Sequence, residues 1–246
     1  MTSHSHSGAV LQLAAEMAAR ASRGQVLVVG VTGSVAAGKS TLCAALKTRL
    51  EATHRVATVS TDGFLLPTAL LNERGIGMRK GYPESYDIDA LLGAIDNARI
   101  GPTTFPGYSH VTYDADPALA RLVESPDILI VEGLALSPLP DGRRPADHLD
   151  LLIYLDADEA DIEAWFVDRF MQFWRAAESD PASFYAQFRS MSEAEAEAFA
   201  RVVWAKINLP NLREHIVLAR DDAHIVLRKA RNHELDVTAW LAPARP

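Results

Sequence analysis

Cysteine is nearly absent from this 246-residue sequence, which contains only Cys43. A chain with one cysteine cannot form an internal disulfide, and this fits a reducing compartment. The sequence also lacks any run close to the roughly 20 apolar residues that a membrane-spanning helix needs, and its first residues lack the basic region of a signal peptide. These absences predict a cytoplasmic protein in which Cys43 is a small core residue.

A basic excess is missing as well, because 24 lysines and arginines face 32 aspartates and glutamates, for a formal net charge of -8. Nucleic-acid binding normally depends on a basic face that releases counterions. The composition therefore predicts no nucleic-acid partner. An anionic substrate would have to be held by a local cluster of donors.

Neither an internal repeat nor a break in composition divides the chain, whose 48% apolar and 23% charged residues are ordinary for a globular protein. We predict a single α/β domain over residues 25–246. Residues 1–24 are expected to form a tail and an amphipathic edge helix over residues 10–23. His4 and His6 then belong to a flexible tail rather than to a metal site.

Short, continuous apolar runs alternate with helical patterns along the chain. Such runs are typical of parallel strands covered on both faces, so the alternation predicts an α/β fold in three layers around a doubly wound, mainly parallel sheet. Ser192 and Glu195 have the spacing of a capping box. Strands are predicted at residues 25–31, 56–60, 127–131, 151–155 and 224–227, helices at 39–52, 88–99, 159–177 and 193–207, and loops at 101–107 and 137–145.

A phosphate-binding motif follows the first predicted strand and opens the first long helix. The pattern is G-x-x-x-x-G-K-[ST], which is typical of P-loop nucleotide-binding proteins. Its glycines let backbone N–H groups surround a phosphate, Lys39 supplies a cation for the β and γ phosphates, and Ser40 can bind Mg²⁺. The motif with its following residue reads Gly33-Ser34-Val35-Ala36-Ala37-Gly38-Lys39-Ser40-Thr41.

Two carboxylates are predicted to lie near this loop, because the carboxyl ends of parallel strands share one crevice. Asp62 follows the second strand and could accept the proton of an attacking hydroxyl, orient that hydroxyl, or help to hold Mg²⁺. An equally good alternative is that Asp62 only organises the Asp62-Gly63 turn. Glu132 ends the third strand and is a candidate metal ligand through water, the alternative being a solvated acid at a strand end.

Taken together, several segments resemble type I (prokaryotic) pantothenate kinase, in the P-loop group that includes uridine kinase and phosphoribulokinase. The first two are shared by that wider group, whereas Tyr108-Ser109-His110 and the Asn-x-x-Asn-Leu segment are specific to the pantothenate kinases. The matching segments are residues 33–41, 60–65, 79–87, 108–110, 130–134, 169–170 and 207–212.

This resemblance implies ATP- and Mg²⁺-dependent phosphorylation of pantothenate, the first step toward coenzyme A, by a homodimer. It implies that Asp62 is the catalytic base and that Phe170 and Phe173 contribute a minor part of the acceptor site. The implied pantothenate pocket consists of Tyr108, His110, Arg169 and Asn211, and the implied neighbours of the adenine are Lys229 and His233.

The sequence departs from the family at three points. Phe166 stands where the family usually has a pocket tyrosine, so one hydrogen bond to the acceptor is expected to be missing. Ala44 stands where the family typically has an arginine that contacts coenzyme A during feedback inhibition, which puts that regulation in question. Fewer residues than usual precede the phosphate loop, and we expect this difference to alter contacts with the nucleotide.

Two other hypotheses stay open on the sequence alone. One is a related kinase that acts on a nucleoside, a sugar or a similar alcohol. The other is a nucleotide-binding regulator without transferase activity. A guanine-specific switch is disfavoured, because its N-K-x-D motif requires an Asn-Lys pair that the sequence does not contain.

Overall fold

A six-stranded sheet forms the centre of the protein, in a computed structural model that describes residues 6–22 and 24–240. The strand order is β10-β9-β8-β1-β7-β2, and all neighbours are parallel except β9 and β10. Two short two-stranded ribbons, β3-β6 and β4-β5, lie outside it. The strands are β1 Leu27–Gly33, β2 Val56–Ser60, β3 Thr103–Phe105, β4 Tyr108–Ser109, β5 Asp114–Ala115, β6 Arg121–Val123, β7 Ile128–Glu132, β8 Leu151–Ala157, β9 Ile225–Lys229 and β10 Leu235–Trp240.

Helices cover both faces of this sheet, which confirms the predicted three-layer α/β/α fold. Two large clusters of buried apolar side chains, one on each face, form the core. A single turn of π-helix, Trp204–Asn208, joins α6 to α7. The helices are α1 His6–Arg20, α2 Lys39–Leu50, α3 Thr68–Glu73, α4 Ile88–Ile100, α5 Glu159–Ala176, α6 Glu193–Val203, α7 Leu209–Glu214 and α8 Ala219–Asp222.

The parallel register brings the carboxyl ends of three strands together. Every residue of β1 is buried, as expected for a central strand. In the pairing, Glu132 of β7 lies beside Val31 of β1 on one side and beside Ser60 of β2 on the other. The loops that follow these strands therefore begin at one edge of the sheet, where ligands bind in open α/β sheets.

Several boundaries differ from the sequence-based prediction. The N-terminal helix spans His6–Arg20 rather than residues 10–23, so His6 begins a helix instead of lying in a tail; His4 and Arg23 fall outside the described residues. The predicted loop at 101–107 contains β3, and β10 was not predicted at all. The capping box of Ser192 and Glu195 is confirmed, as is the burial of Cys43.

The N-terminal helix packs into the core on the α2 face of the sheet. Leu13 and Met17 have no exposed surface and belong to the same apolar cluster as Leu42 and Leu46 of α2. The domain boundary predicted at residue 24 stays a prediction. No helix in the described ranges is both long and apolar enough to span a membrane.

Truncation of Leu13 tests whether this helix contributes to the stability of the whole domain. Because Leu13 is fully buried, Leu13→Ala should lower the free energy of unfolding by about 2–5 kcal/mol. Leu11→Ala is the matched control, since Leu11 lies on the same helix and is 41% exposed. Urea unfolding measures both variants. Equal, small losses would contradict the packing of α1 on the core.

Candidate active site

The phosphate loop connects β1 to α2, and two of its residues adopt left-handed backbone conformations. Ala36 and Gly38 have φ angles of 60° and 101°, in the left-handed region. Gly38 is the N-cap residue of α2 and has no side chain to accept a hydrogen bond from the first N–H groups of that helix. Alternation of right- and left-handed residues together with an uncapped helix N-terminus creates an anion-binding concavity.

Lys39 extends along this loop and is only 9% exposed. Its ammonium group donates hydrogen bonds to the carbonyl oxygens of Gly33 at 3.2 Å and Ser34 at 2.9 Å. Burial lowers the pKa of Lys39, while the carboxylates of Glu132 and Asp62 act in the opposite direction. The two predicted carboxylates therefore lie within electrostatic reach of the loop lysine.

Ser40 and Glu132 form a pair of oxygen ligands beside Lys39. The Ser40 hydroxyl donates a hydrogen bond to Oε1 of Glu132 at 2.9 Å. Burial raises the pKa of Glu132, Lys39 opposes that shift, and Asp62 reinforces it. A hydroxyl and a carboxylate close together are suitable ligands for Mg²⁺.

Asp62 lies in a 3-10 turn, Thr61–Phe64, directly after β2. The turn is closed by Ser60, whose hydroxyl accepts a hydrogen bond from the Asp62 N–H at 3.2 Å. The Asp62 carboxylate accepts no backbone hydrogen bond from the described residues, and its one partner there is the Tyr86 hydroxyl at 3.5 Å. The Asx-turn alternative is therefore not what the structure contains, and the carboxylate stays available for a ligand.

A close approach of two loops brings Asp62 and Glu132 together. Gly133 has a φ of 153°, and a Cβ atom there would lie 1.8 Å from the Thr61 hydroxyl oxygen. Any larger residue at position 133 would separate the end of β7 from the turn that carries Asp62. The glycine is thus required by the site rather than by a simple turn.

The ribbon β4-β5 carries Tyr108 and places His110 at its tip. Their rings meet edge to face at 5.2 Å, and Tyr108 also contacts Tyr113 at 6.1 Å. The His110 ring lies at the exposed rim, where partial desolvation lowers its pKa; Asp62 opposes this shift and Arg169 adds to it. The ribbon therefore faces both Asp62 and α5.

Lys80 anchors this ribbon, a role that no sequence pattern indicated. Its side chain is 6% exposed, and its ammonium group lies 3.7 Å from Asp114 and donates hydrogen bonds to Thr68 Oγ1 at 2.8 Å and to the Tyr113 carbonyl oxygen. It also lies over the rings of Tyr108 and Tyr113, at 5.2 and 4.8 Å from their centroids. One buried cation thus holds both tyrosines.

Arg169 on α5 forms the opposite wall. It makes no hydrogen bond or ion pair with any residue in the described part of the chain. Its guanidinium group lies 5.5 Å from the centroid of the Phe173 ring. Phe170 is buried in an aromatic cluster with Tyr185, Phe188 and Phe199 and offers little surface to a ligand.

Asn211 lies on α7 just beyond the π-helix and is 4% exposed. Its Nδ2 donates a hydrogen bond to the Gly81 carbonyl oxygen at 2.9 Å, whereas its Oδ1 is buried without a partner. Leaving a buried acceptor unpaired costs about 1–3 kcal/mol, so such an atom is a natural ligand contact. π-helical turns often occur at functional sites.

Lys229 and His233 lie on the other side of the phosphate loop. The Lys229 ammonium group donates a hydrogen bond to the Ala37 carbonyl oxygen at 2.8 Å and lies 4.0 Å above the Trp165 ring. Burial lowers its pKa to about 8. The Trp165 and His233 rings are 5.1 Å apart. Trp165 thus joins the pair that the sequence had suggested.

Sequence reasoning missed Lys80, Tyr113, Tyr185 and Trp165. Lys80 lies in the segment 79–87 and Tyr113 follows the segment 108–110, both of which resemble pantothenate kinases. Only the folded chain shows that the buried ammonium group of Lys80 contacts Tyr113. Tyr185 and Trp165 had no signal beyond an aromatic pattern.

Two of the residues that depart from the family have defined positions. Ala44 is exposed on α2, and the Phe166 ring packs against Trp204 with the ring centroids 6.0 Å apart. No cluster of three or more His, Cys, Asp or Glu side chains suited to a metal occurs within residues 6–22 and 24–240.

A buried strand, a glycine loop with Lys39 and Ser40, and carboxylates at the ends of the two neighbouring strands define a P-loop kinase. Residues 28–171, more than half of the chain, match the model of the Phosphoribulokinase / Uridine kinase family. The chain belongs to this family. It is accordingly a phosphotransferase that uses ATP and acts on an alcohol group of a small molecule.

Individual relatives agree with this placement. A pantothenate kinase of Streptococcus pneumoniae (strain P1031) is 44% identical over 223 residues, which cover 88% of this chain and 73% of the relative. A solved structure from Silicibacter sp. TM1040, described as a fructose transport system kinase, is 25% identical with a TM-score of 0.68 over 83% of this chain and 92% of that one. D-glycerate 3-kinase from Cryptococcus neoformans, at 15% identity, shares the fold with a TM-score of 0.63 over 94% of this chain and 99% of that chain.

Removal of the Lys80 charge tests the anchoring of the ribbon. Hydrogen bonds to charged groups contribute about 1.5–3 kcal/mol, so in Lys80→Met the amides of residues 108–116 should exchange with solvent about tenfold faster or more. Amides of β1 should be unaffected. Lys206→Met, which changes an exposed lysine, is the control. Unchanged exchange in the ribbon would show that Lys80 does not hold it.

Proposed function

We propose that the protein transfers the γ-phosphoryl group of ATP to the primary hydroxyl group of pantothenate and so produces 4'-phosphopantothenate for coenzyme A synthesis. The observation that carries this proposal is a convergence of charges. Lys39, Asp62 and Glu132 meet at one edge of the sheet, and the unpaired Arg169 faces them from α5. In this arrangement Lys39 would bind the triphosphate of the nucleotide, and Arg169 would bind an acceptor that carries a carboxylate.

The nucleotide side would be held by the phosphate loop. The backbone of residues 33–38 and the N-terminus of α2 suit the phosphates, Lys39 supplies the mobile cation, and Thr41 follows on the first turn of α2. Lys229 and His233, with Trp165 between them, would border the adenine. Because phosphoryl transfer requires mainly positioning and charge neutralisation, these groups account for much of the catalysis.

A magnesium ion would be held by Ser40 and Glu132. The hydroxyl oxygen of Ser40 and Oε1 of Glu132 are 2.9 Å apart, and Glu132 lies close to Lys39. When bound, the ion would neutralise negative charge on the phosphate oxygens. The neighbouring pair of Ser40 and Glu132 supports this assignment, since hard oxygen ligands suit Mg²⁺.

Asp62 would act on the acceptor. Its carboxylate is free of backbone hydrogen bonds from the described residues and lies within electrostatic reach of Lys39. It can accept a hydrogen bond from the primary hydroxyl, orient the oxygen toward the γ phosphate, and take up its proton as the new P–O bond forms. Tyr86, whose hydroxyl is 3.5 Å from Oδ1, would keep the carboxylate in place.

The rest of pantothenate has matching partners around the cavity. Arg169, which has no carboxylate partner among the described residues, would bind the pantothenate carboxylate. Asn211 would use its unpaired Oδ1 to accept a hydrogen bond from the acceptor. Tyr108 and His110 would hydrogen-bond the polar middle of the molecule, while Phe173, with a smaller contribution from Phe170, would contact its apolar atoms.

The cellular setting follows from the resemblance to pantothenate kinases. We propose that the enzyme works in the cytoplasm as a homodimer. Because Ala44 offers no charge on the exposed surface of α2, we propose that coenzyme A inhibits it weakly.

A comparison of acceptors tests the proposed function. ATP consumption should be rapid with pantothenate and at least about 100-fold lower in kcat/KM with uridine and simple sugars, since a site with buried polar groups rejects molecules that leave them unpaired. Mass spectrometry should identify 4'-phosphopantothenate. If another alcohol were phosphorylated rapidly and pantothenate were not, pantothenate would be the wrong acceptor. If no acceptor gave a phosphorylated product, the protein would instead be a nucleotide-binding regulator.

Replacement of Asp62 tests its role in proton transfer. Asp62→Asn should lower kcat about 10²- to 10⁴-fold, because the amide cannot take up the proton. Nucleotide affinity, measured by calorimetry, should stay nearly the same. Glu73→Gln, which alters an exposed carboxylate on α3, should behave like the unmodified enzyme. If Asp62→Asn retained full turnover, Asp62 would have no part in the mechanism.

A further inference from the structure

A short aromatic segment closes the acceptor side of the cavity. This segment is the 3-10 turn Phe184–Phe188, between α5 and α6. The N–H of Phe184 donates a hydrogen bond to the Val111 carbonyl oxygen at 2.7 Å, and its ring stacks on Tyr113 at 4.5 Å with an interplanar angle of 23°. The segment is therefore attached to the ribbon that carries Tyr108 and His110.

Tyr185 is the one tyrosine of this segment, and two phenylalanines of α5 fix its ring. Phe173 stacks on it at 5.0 Å and Phe170 meets it edge to face at 5.4 Å. A ring held on two sides has a defined direction for its hydroxyl group. That hydroxyl makes no hydrogen bond with any residue of the described ranges.

Tyr185 and Arg169 are neighbours in this wall. Desolvation raises the pKa of Tyr185, and the charge of Arg169 opposes that rise. Tyr185 in turn contributes to the raised pKa values of Tyr108 and Tyr113. The geometry agrees with this coupling, because the Phe173 ring stacks on Tyr185 at 5.0 Å and its centroid lies 5.5 Å from the Arg169 guanidinium carbon. Tyr185 and Arg169 therefore lie on the same wall of the cavity, on either side of Phe173.

The neighbouring face of α5 offers no second hydroxyl. Phe166, one turn before Phe170, presents a phenyl ring that packs against Trp204 at 6.0 Å. Among the groups of this wall, Arg169 is a cation without a partner and Tyr185 is a donor without a partner. An anionic group that accepts two hydrogen bonds would satisfy both, and the carboxylate of pantothenate is such a group.

We propose that Tyr185 determines acceptor specificity by donating a hydrogen bond from its hydroxyl group to the carboxylate that Arg169 binds. This inference rests on the proposed function and adds a residue to it. A phenol that stays protonated can donate but cannot repel the anion, whereas phenylalanine at this position would keep the packing and lose the donor. Tyr185 is a binding residue in this account, remote from the transferred phosphoryl group.

Steady-state kinetics with two acceptors test this inference. The acceptors are pantothenate and its neutral analogue in which a carboxamide replaces the carboxylate. Hydrogen bonds to charged groups are the stronger ones, so Tyr185→Phe should raise KM for pantothenate about 10- to 30-fold and leave kcat within about twofold. For the neutral analogue the change in KM should stay below about threefold. Tyr154→Phe, on β8, is the matched control.

The possible outcomes separate the inference from the proposed function. No turnover of pantothenate by the unmodified enzyme would overturn both. Normal turnover with an unchanged KM in Tyr185→Phe would overturn the inference alone, and so would an equal increase in KM for both acceptors, because that would indicate a packing effect. Thermal unfolding of Tyr185→Phe checks that the ring cluster is intact, which we expect because the phenyl ring is retained.

Discussion

The parallel register of β1, β7 and β2 is the constraint on which the rest of the site depends. Pairing of Glu132 with Val31 and with Ser60 ends three strands at one edge. The phosphate loop, Glu132 and the turn of Asp62 leave the sheet at that edge. A shift of one residue would point these side chains to the other face of the sheet.

The second constraint is the proximity of two carboxylates, Asp62 and Glu132, whose repulsion is offset by a nearby lysine. The nearby Asp62 carboxylate contributes to the raised pKa of Glu132, while the buried ammonium group of Lys39 opposes that shift. Charges removed from water are costly unless they are paired. The loop lysine therefore serves as a counterion to the neighbouring carboxylates and would also serve the phosphates of a bound nucleotide.

Much of the fold could be predicted from the sequence, because buried parallel strands are continuous apolar runs with little ambiguity. The run at residues 151–155 and the capping box at Ser192 are examples. Strand β10 was missed because it lies at the edge and its residues are alternately buried and exposed, a weaker pattern that resembles a terminal loop. The N-terminal helix was placed four residues late, since its first turn has few apolar residues.

The candidate site was predictable only where a local motif implies chemistry. The phosphate loop and the acids at strand ends follow from spacing and from the shared edge of a parallel sheet. Lys80 and Tyr185 follow from contacts between distant segments, such as the 3.7 Å approach of Lys80 to Asp114. Periodicity carries no information about such contacts, and a lone lysine or tyrosine is usually a surface or core residue.

A crystal structure of the protein with pantothenate and a non-hydrolysable ATP analogue would show whether Asp62 acts on the acceptor. We expect the primary hydroxyl of pantothenate within hydrogen-bonding distance of the Asp62 carboxylate and facing the terminal phosphate held by Lys39, with the pantothenate carboxylate at Arg169. An acceptor bound elsewhere, or an Asp62 carboxylate turned away from the terminal phosphate, would contradict this expectation.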